Sequence, residues 1–157
     1  MNAWSKGKVV NLRNPNSTRP WQHVLEPLSG YLTQAMALVD NPDLHGEAFN
    51  FGPNTNQENS VLELVSKMSK FWNKVRWKDI SSKKKGPYES GLLKLNCDKA
   101  LNKIRWHGNL NFQDTLKMTV EWYQSYYENP SGVNKKTYDQ IKFFTNKAKQ
   151  NGLKWAQ

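Results

Sequence analysis

Two stretches of this chain repeat their apolar residues at the 3.6-residue period of an α-helix, and the runs around them are short and β-prone. That restricts the fold to helices alternating with strands. In the first stretch Val24, Leu28, Tyr31, Leu32, Ala35, Met36 and Val39 recur, predicting a helix over 24–39. Pro27 falls in its first turn, where a missing N–H costs nothing, and Asn41-Pro42 marks the exit. In the second, Ser60 and Glu63 form a capping box ahead of Val61, Leu64, Val65, Met68, Phe71 and Trp72. Strands are predicted at 8–13, ended by Asn14-Pro15-Asn16, at 47–52 and, by alternation, at 75–80, with a short one at 92–96. A brief helix at 97–104 should turn Ala100, Leu101 and Ile104 inward. Asn111 can cap a helix over 112–128 carrying Leu116, Val120, Tyr123 and Tyr127 on one stripe. A polar hinge, 129–134, then precedes an amphipathic segment at 135–150. The class is α/β, with residues 1–128 as one unit and 129–157 as hinge and carboxy-terminal helix.

Seven Trp, six Tyr and six Phe in 157 residues are far too many for a disordered basic tail, so the chain is globular despite its net charge of +10. Of its 23 basic residues only Arg13, Arg19, Arg76 and Arg105 are Arg, so bidentate reading of bases is scarce and sequence-specific nucleic-acid binding is not expected. Cys97 is the single cysteine, which excludes an intramolecular disulfide and a thiolate-rich zinc site and suits a reducing compartment. Neither a signal peptide nor a membrane-length apolar run is present, so a cytoplasmic protein is expected and the Asn16-Ser17-Thr18 sequon is idle.

Cofactor and metal signatures are missing. The chain contains neither the GxGxxG of a dinucleotide fold nor a P-loop, and His23, His45 and His107 lack the spacing that places two imidazoles on one helix face. Tyr138 and Lys142 match the Tyr-x-x-x-Lys of short-chain dehydrogenases, but no cofactor-binding strand and turn precede them. Tyr138 reads as packing, with Lys142 solvated beside it. More informative is Thr18-Arg19-Pro20-Trp21-Gln22-His23-Val24. Pro20 biases Arg19 toward an extended backbone and Trp21 anchors the junction, so the guanidinium is offered from a stiff loop entering a helix. Such an Arg either grips a phosphate through two parallel N–H bonds or pairs with a carboxylate such as Glu26. His23 reads as a structural histidine rather than a base. Lys83, Lys84 and Lys85 either steer an anion or are simply solvated, and Glu89 is similarly ambiguous.

The block from Arg13 to Leu32, centred on Arg19-Pro20-Trp21-Gln22-His23-Val24, closely resembles the carboxy-terminal half of the CDP-glucose 4,6-dehydratases, within the extended short-chain dehydrogenase/reductase superfamily. The similarity continues through Phe49-Asn50-Phe51-Gly52-Pro53, Leu93-Lys94-Leu95-Asn96-Cys97-Asp98-Lys99-Ala100 and Thr119-Val120-Glu121-Trp122-Tyr123. The resemblance implies a nucleotide-sugar-binding lobe without the amino-terminal Rossmann domain. In the complete enzyme that domain holds NAD and the acid–base groups, which take a hydride from C4 of CDP-glucose, eliminate water across C5 and C6, and return the hydride to C6. The product feeds dideoxysugars of bacterial surface polysaccharides, such as O-antigen.

Carried over by position, Arg19 matches the arginine that holds the nucleotide diphosphate. Arg13, placed on the preceding strand, is a second contact, and Glu89 lies in a segment that usually reads Pro-His-Glu, where this chain has Tyr88. No catalytic, NAD-binding or metal residue is expected in the chain. Its partners are CDP-glucose or a related nucleotide-sugar and an amino-terminal half encoded separately, without which it should be inactive and leave apolar surface exposed. Family members commonly dimerise through helices of that missing domain. The alternatives are a non-catalytic nucleotide-sugar-binding module and a basic polyanion-binding domain.

Overall fold

The computed structural model describes residues 1–54, 57–81 and 91–157. They form a mixed α/β fold that is mostly helical. A short α1 (Asn2–Ser5) leads into β1 (Val10–Leu12), which pairs in parallel with β4 (Trp77–Asp79) in the register Val10 to Trp77 and Leu12 to Asp79. A second pair, β2 (Thr18–Arg19) and β3 (Asn59–Ser60), is antiparallel. The main helices are α2 (Leu25–Asp40), α3 (Val61–Met68), α4 (Asp98–Ile104), α5 (Phe112–Glu128) and α6 (Val133–Gln150).

Where local chemistry is strong, the helices begin as the residues dictate. Ser60 Oγ accepts from the Glu63 amide at 3.2 Å while the Glu63 carboxylate accepts from the Ser60 amide at 2.7 Å, which completes the capping box of α3. Asn111 Oδ1 accepts from the Asp114 amide at 2.8 Å and starts α5. The main core joins these helices to the parallel pair: Trp4, Leu12, Val65, Met68, Trp72, Val75, Phe112, Leu116 and Val120 pack together. Trp4 Nε1 donates to the Arg76 carbonyl at 2.8 Å and ties the amino terminus to the approach of β4.

A second cluster, Leu44, Phe51, Ala100, Ile104 and Trp106, lies under α2 and α4. A third joins Leu110, Met118 and Phe144, with Leu25 and Trp155 beside it. The carboxy-terminal segment is bound into this third cluster. Gln140 Nε2 donates to the Met118 carbonyl at 2.7 Å, Trp122 Nε1 donates to Thr137 Oγ1 at 2.8 Å, and Lys147 pairs with Asp114, so α5 and α6 form an antiparallel hairpin.

Several expectations are corrected. Residues 47–52 form no strand. Phe51 packs into the second core, and its carbonyl accepts from Gln22 Nε2 at 3.0 Å, a side chain taking the place of a ladder partner. The strand expected at 92–96 reduces to a single parallel bridge between Thr18 and Leu92. Leu101 is 45% exposed, because only Ala100 and Ile104 lie on the side of α4 facing Phe51 and Trp106. Tyr138 does not pack: it stands 74% exposed on the outer face of α6, since Gln140, Phe144 and Ala148 take the inner face.

The largest surprise is α2. Its apolar stripe points outward, with Val24, Leu28, Tyr31, Leu32, Met36 and Val39 all exposed, while Glu26, Ser29, Gly30 and Thr33 are buried. The buried face is a polar seam. Glu26 is 2% exposed, and its carboxylate accepts from the Asn109 amide at 2.9 and 3.0 Å and from the Leu110 amide at 2.5 Å. Ser29 Oγ accepts from Trp106 Nε1 at 2.9 Å and donates to the Glu26 carbonyl, and Thr33 Oγ1 donates to the Ser29 carbonyl. Gly30 is required because a Cβ there would lie 2.5 Å from the Phe51 ring.

Candidate functional site

Arg19 ends β2, opposite Asn59 on β3. The neighbouring chain is pinned on both sides: Trp21 Nε1 donates to the Asn59 carbonyl at 2.9 Å, the Trp21 amide donates to the Arg19 carbonyl at 2.9 Å, and the Thr18 amide donates to the Gly91 carbonyl at 2.8 Å. The stiff presentation expected from Pro20 and Trp21 is therefore built from a sheet register and an indole anchor. Arg19 is half-buried, and its Nη1 donates to the Thr18 carbonyl at 2.7 Å.

The carboxylate considered as its partner is committed elsewhere. Burial pushes the Glu26 carboxyl above its ordinary value, and the Asn109 and Leu110 amides pull it partly back. Those two N–H groups lie more than eighty positions along the chain, at separations of 83 and 84 residues, so no local pattern announces them. The only sequence signal was an acidic residue in the first turn of a helix, which ordinarily denotes a favourable dipole contact.

Arg19 lines a shallow cleft with Thr18, Pro20, Asn54, Gln57 and Glu58 on one side and Leu92, Leu93, Lys94 and Leu95 on the other. Lys94 pairs with Glu58 across its rim. Among the described residues its free volume is about 10 Å³, room for roughly one water. Arg13 lies one residue beyond β1 rather than on it, is exposed, and does not line this cleft. Glu89, with Tyr88 and Lys83 to Lys85, lies outside the described residues.

His23 follows four positions later, buried at the entry to α2. Burial pushes its pKa down to about 4, and as a neutral ring it accepts from the Leu25 amide through Nδ1 at 3.3 Å, the behaviour of a structural histidine. It opens onto a separate, larger groove of about 560 Å³ between the start of α2, α5 and α6, walled by Val24, Leu28, Trp122, Tyr123 and Ile141. The motif reading missed this groove because its walls come from three helices distant in the chain.

The sequence carries no GxGxxG run, and among the described residues β1 runs on into β2 rather than into a helix start that could meet a pyrophosphate. Among the described residues no three His, Cys, Asp or Glu side chains converge as a metal requires, and no helix is long and apolar enough to cross a membrane.

No family model matches the chain. Over 127 residues, 80% of the chain, it is 35% identical to the CDP-glucose 4,6-dehydratase of Salmonella typhimurium, and the match spans 35% of that enzyme's length. The chain is therefore a homologue of a segment of CDP-glucose 4,6-dehydratase.

Proposed function

We propose that this chain is the nucleotide-sugar-binding portion of a CDP-glucose 4,6-dehydratase, the carboxy-terminal lobe of an extended short-chain dehydrogenase/reductase, with Arg19 as its diphosphate contact. The observation that carries the reading is the pairing of the 127-residue similarity with an arginine held by β2, β3 and Trp21 at the lip of a cleft. A planar guanidinium fixed in this way suits two parallel hydrogen bonds to a phosphoryl group. Arg13 and Glu89 are proposed as accessory contacts to the nucleotide. Residues 1–128 constitute the lobe and 129–157 a helical extension.

The reaction is the NAD-dependent dehydration of CDP-glucose to CDP-4-keto-6-deoxyglucose, a lyase step in the cytoplasm on the way to surface polysaccharide. NAD and the acid–base groups come from an amino-terminal Rossmann half, so the chain alone binds without turning over. The second reading is a nucleotide-sugar-binding module with no catalytic role.

Calorimetric titration with CDP-glucose tests the site. We expect saturable binding that weakens at least tenfold in Arg19→Ala, with Arg19→Lys recovering only part because a point charge replaces the fork. Binding indifferent to Arg19 and displaced equally well by random oligonucleotide, with steep salt dependence, would instead identify a polyanion-binding domain. Turnover with NAD after adding a family amino-terminal half separates the enzyme portion from the module.

A further inference from the structure

We infer that Asn151 is a modification site: its side-chain amide is lost by spontaneous deamidation through the following glycine, and the product loosens the hold of Asn109 and Leu110 on Glu26. The inference is independent of the nucleotide-sugar reading.

Asn151-Gly152 is the one Asn-Gly step in the chain, and the end of α6 requires its glycine. The Gly152 amide donates to the Lys149 carbonyl at 3.1 Å and the Leu153 amide to the Ala148 carbonyl at 3.0 Å. These are the paired bonds of a Schellman turn, whose residue after the cap takes a left-handed backbone. Gly152 accordingly has φ +76°, and nothing lies within 4 Å of where a Cβ would stand. Leu153 and Ala148 are buried and anchor the turn, while Asn151 and Gly152 are exposed. No β-carbon shields the Gly152 nitrogen, so ring closure onto the preceding side chain meets little steric resistance.

In the reaction the Gly152 backbone nitrogen attacks Asn151 Cγ. A C–N bond forms, the Cγ–Nδ2 bond breaks, and Nδ2 leaves as ammonia, taking the proton from the Gly152 nitrogen. Water then opens the five-membered succinimide at either carbonyl, giving aspartate or isoaspartate. No other reactant is needed.

The partner of this side chain gives the change its consequence. Asn151 Nδ2 donates to Asn109 Oδ1 at 2.6 Å. Asn109 is buried and cannot turn its amide over, because its own Nδ2 donates to the Phe144 carbonyl at 3.1 Å. Its backbone amide donates to the Glu26 carboxylate at 2.9 and 3.0 Å. Deamidation replaces the Asn151 donor by a carboxylate oxygen, so Asn109 Oδ1 loses its proton donor and faces a second acceptor. The disturbance therefore falls on a residue that holds α2. In the intact fold the Gly152 amide and Asn151 Nδ2 are both engaged, so the reaction waits for the last turn of α6 to open.

Peptide mapping of the full chain by mass spectrometry, after incubation in mildly alkaline buffer, tests the site. We expect replacement of NH by O at Asn151 before any other asparagine, and about tenfold faster in urea that unfolds the chain. The converted chain, separated by ion exchange, and Asn151→Asp should both exchange the Asn109 and Leu110 amides faster than the unaltered chain. The Val65 and Val120 amides, in the main core, should exchange as before. An Asn151 still intact after other asparagines have converted, or a rate indifferent to urea, would overturn the inference. So would unchanged exchange at Asn109 and Leu110 in both altered chains, or acceleration spread equally over Val65 and Val120.

Discussion

Helices α3 and α2 are both amphipathic, yet they sit in the molecule with opposite faces inward. In α3 the apolar side is the inner side: Val65 and Met68 are buried, and Trp72 just beyond the helix is 1% exposed against Phe112, Leu116 and Val120. In α2 the inner side is Glu26, Ser29, Gly30 and Thr33, and the apolar stripe meets solvent. Burying apolar surface is the usual driving force for placing a helix. Here α2 packs only Leu25, Ala37 and Leu38 against the second and third cores, and its most deeply buried residues form a hydrogen-bonded seam to Trp106, Asn109 and Leu110, with Phe51 in close approach to Gly30. The periodicity of a sequence identifies two faces; what each face packs against is a separate matter, and in this chain it differs between neighbouring helices.

The contrast can be broken first at the hydrophobic anchor of α3. Trp72→Ala removes a fully buried indole and should cost about 3–5 kcal/mol, measured as a fall in the urea midpoint. A cost below about 1 kcal/mol would remove the distinction between the two helices.

The entry to α2 makes a prediction about acid. His23 is neutral when folded, with a pKa pushed down from 6.5 to about 4, so the unfolded chain binds the proton more readily between these values. Its contribution is therefore complete above pH 6.5 and is lost as pH falls toward 4, about 3 kcal/mol in all. His23→Asn keeps an acceptor for the Leu25 amide and does not titrate, so its stability curve should stay flatter across that window. Equal slopes in the two proteins would place the titrating group elsewhere. Glu26 works in the other sense: its raised pKa means that its ionisation costs stability as pH rises through the raised value.

The smallest effect is also the sharpest in sign. Gly→Ala within a helix ordinarily stabilises by about 0.5–1 kcal/mol. At Gly30 the added carbon would lie 2.5 Å from a Phe51 ring that is itself packed edge-on to Trp106 at 4.9 Å, so Gly30→Ala should destabilise by about 1–3 kcal/mol. Relief by a second change, Phe51→Leu, would confirm the contact as the cause, and a stabilised single variant would show that the inner face of α2 is loosely packed.

How much of this was legible follows the range of the interactions. The capping box at Ser60 and Glu63, the Asn111 cap and the extent of α2 are set by residues within four positions of one another, and all were readable. The strands divided. Those expected at 8–13 and 75–80 contain β1 and β4, although their pairing across more than sixty residues was not legible, while the β-prone run at 47–52 has its two Phe side chains in a core and no ladder beside it. At the candidate site, Pro20 and Trp21 pointed to Arg19, but the partner imagined for it, Glu26, turned out to be the clasp of α2. Arg13 could not be placed relative to the cleft, because that depends on how the chain turns after β1.

By itself the sequence determined where the longer helices begin and end, that each has two unlike faces, and which relative the chain shares residues with. Those properties are local or additive along the chain. Tertiary structure alone decided that α2 turns its polar side inward, that Glu26 clasps Asn109 and Leu110, and that Val24 and Leu28 meet Trp122, Tyr123 and Ile141 in one groove. A buried carboxylate is tolerable only where distant amides converge on it, and that convergence is a property of the folded chain rather than of any window along it.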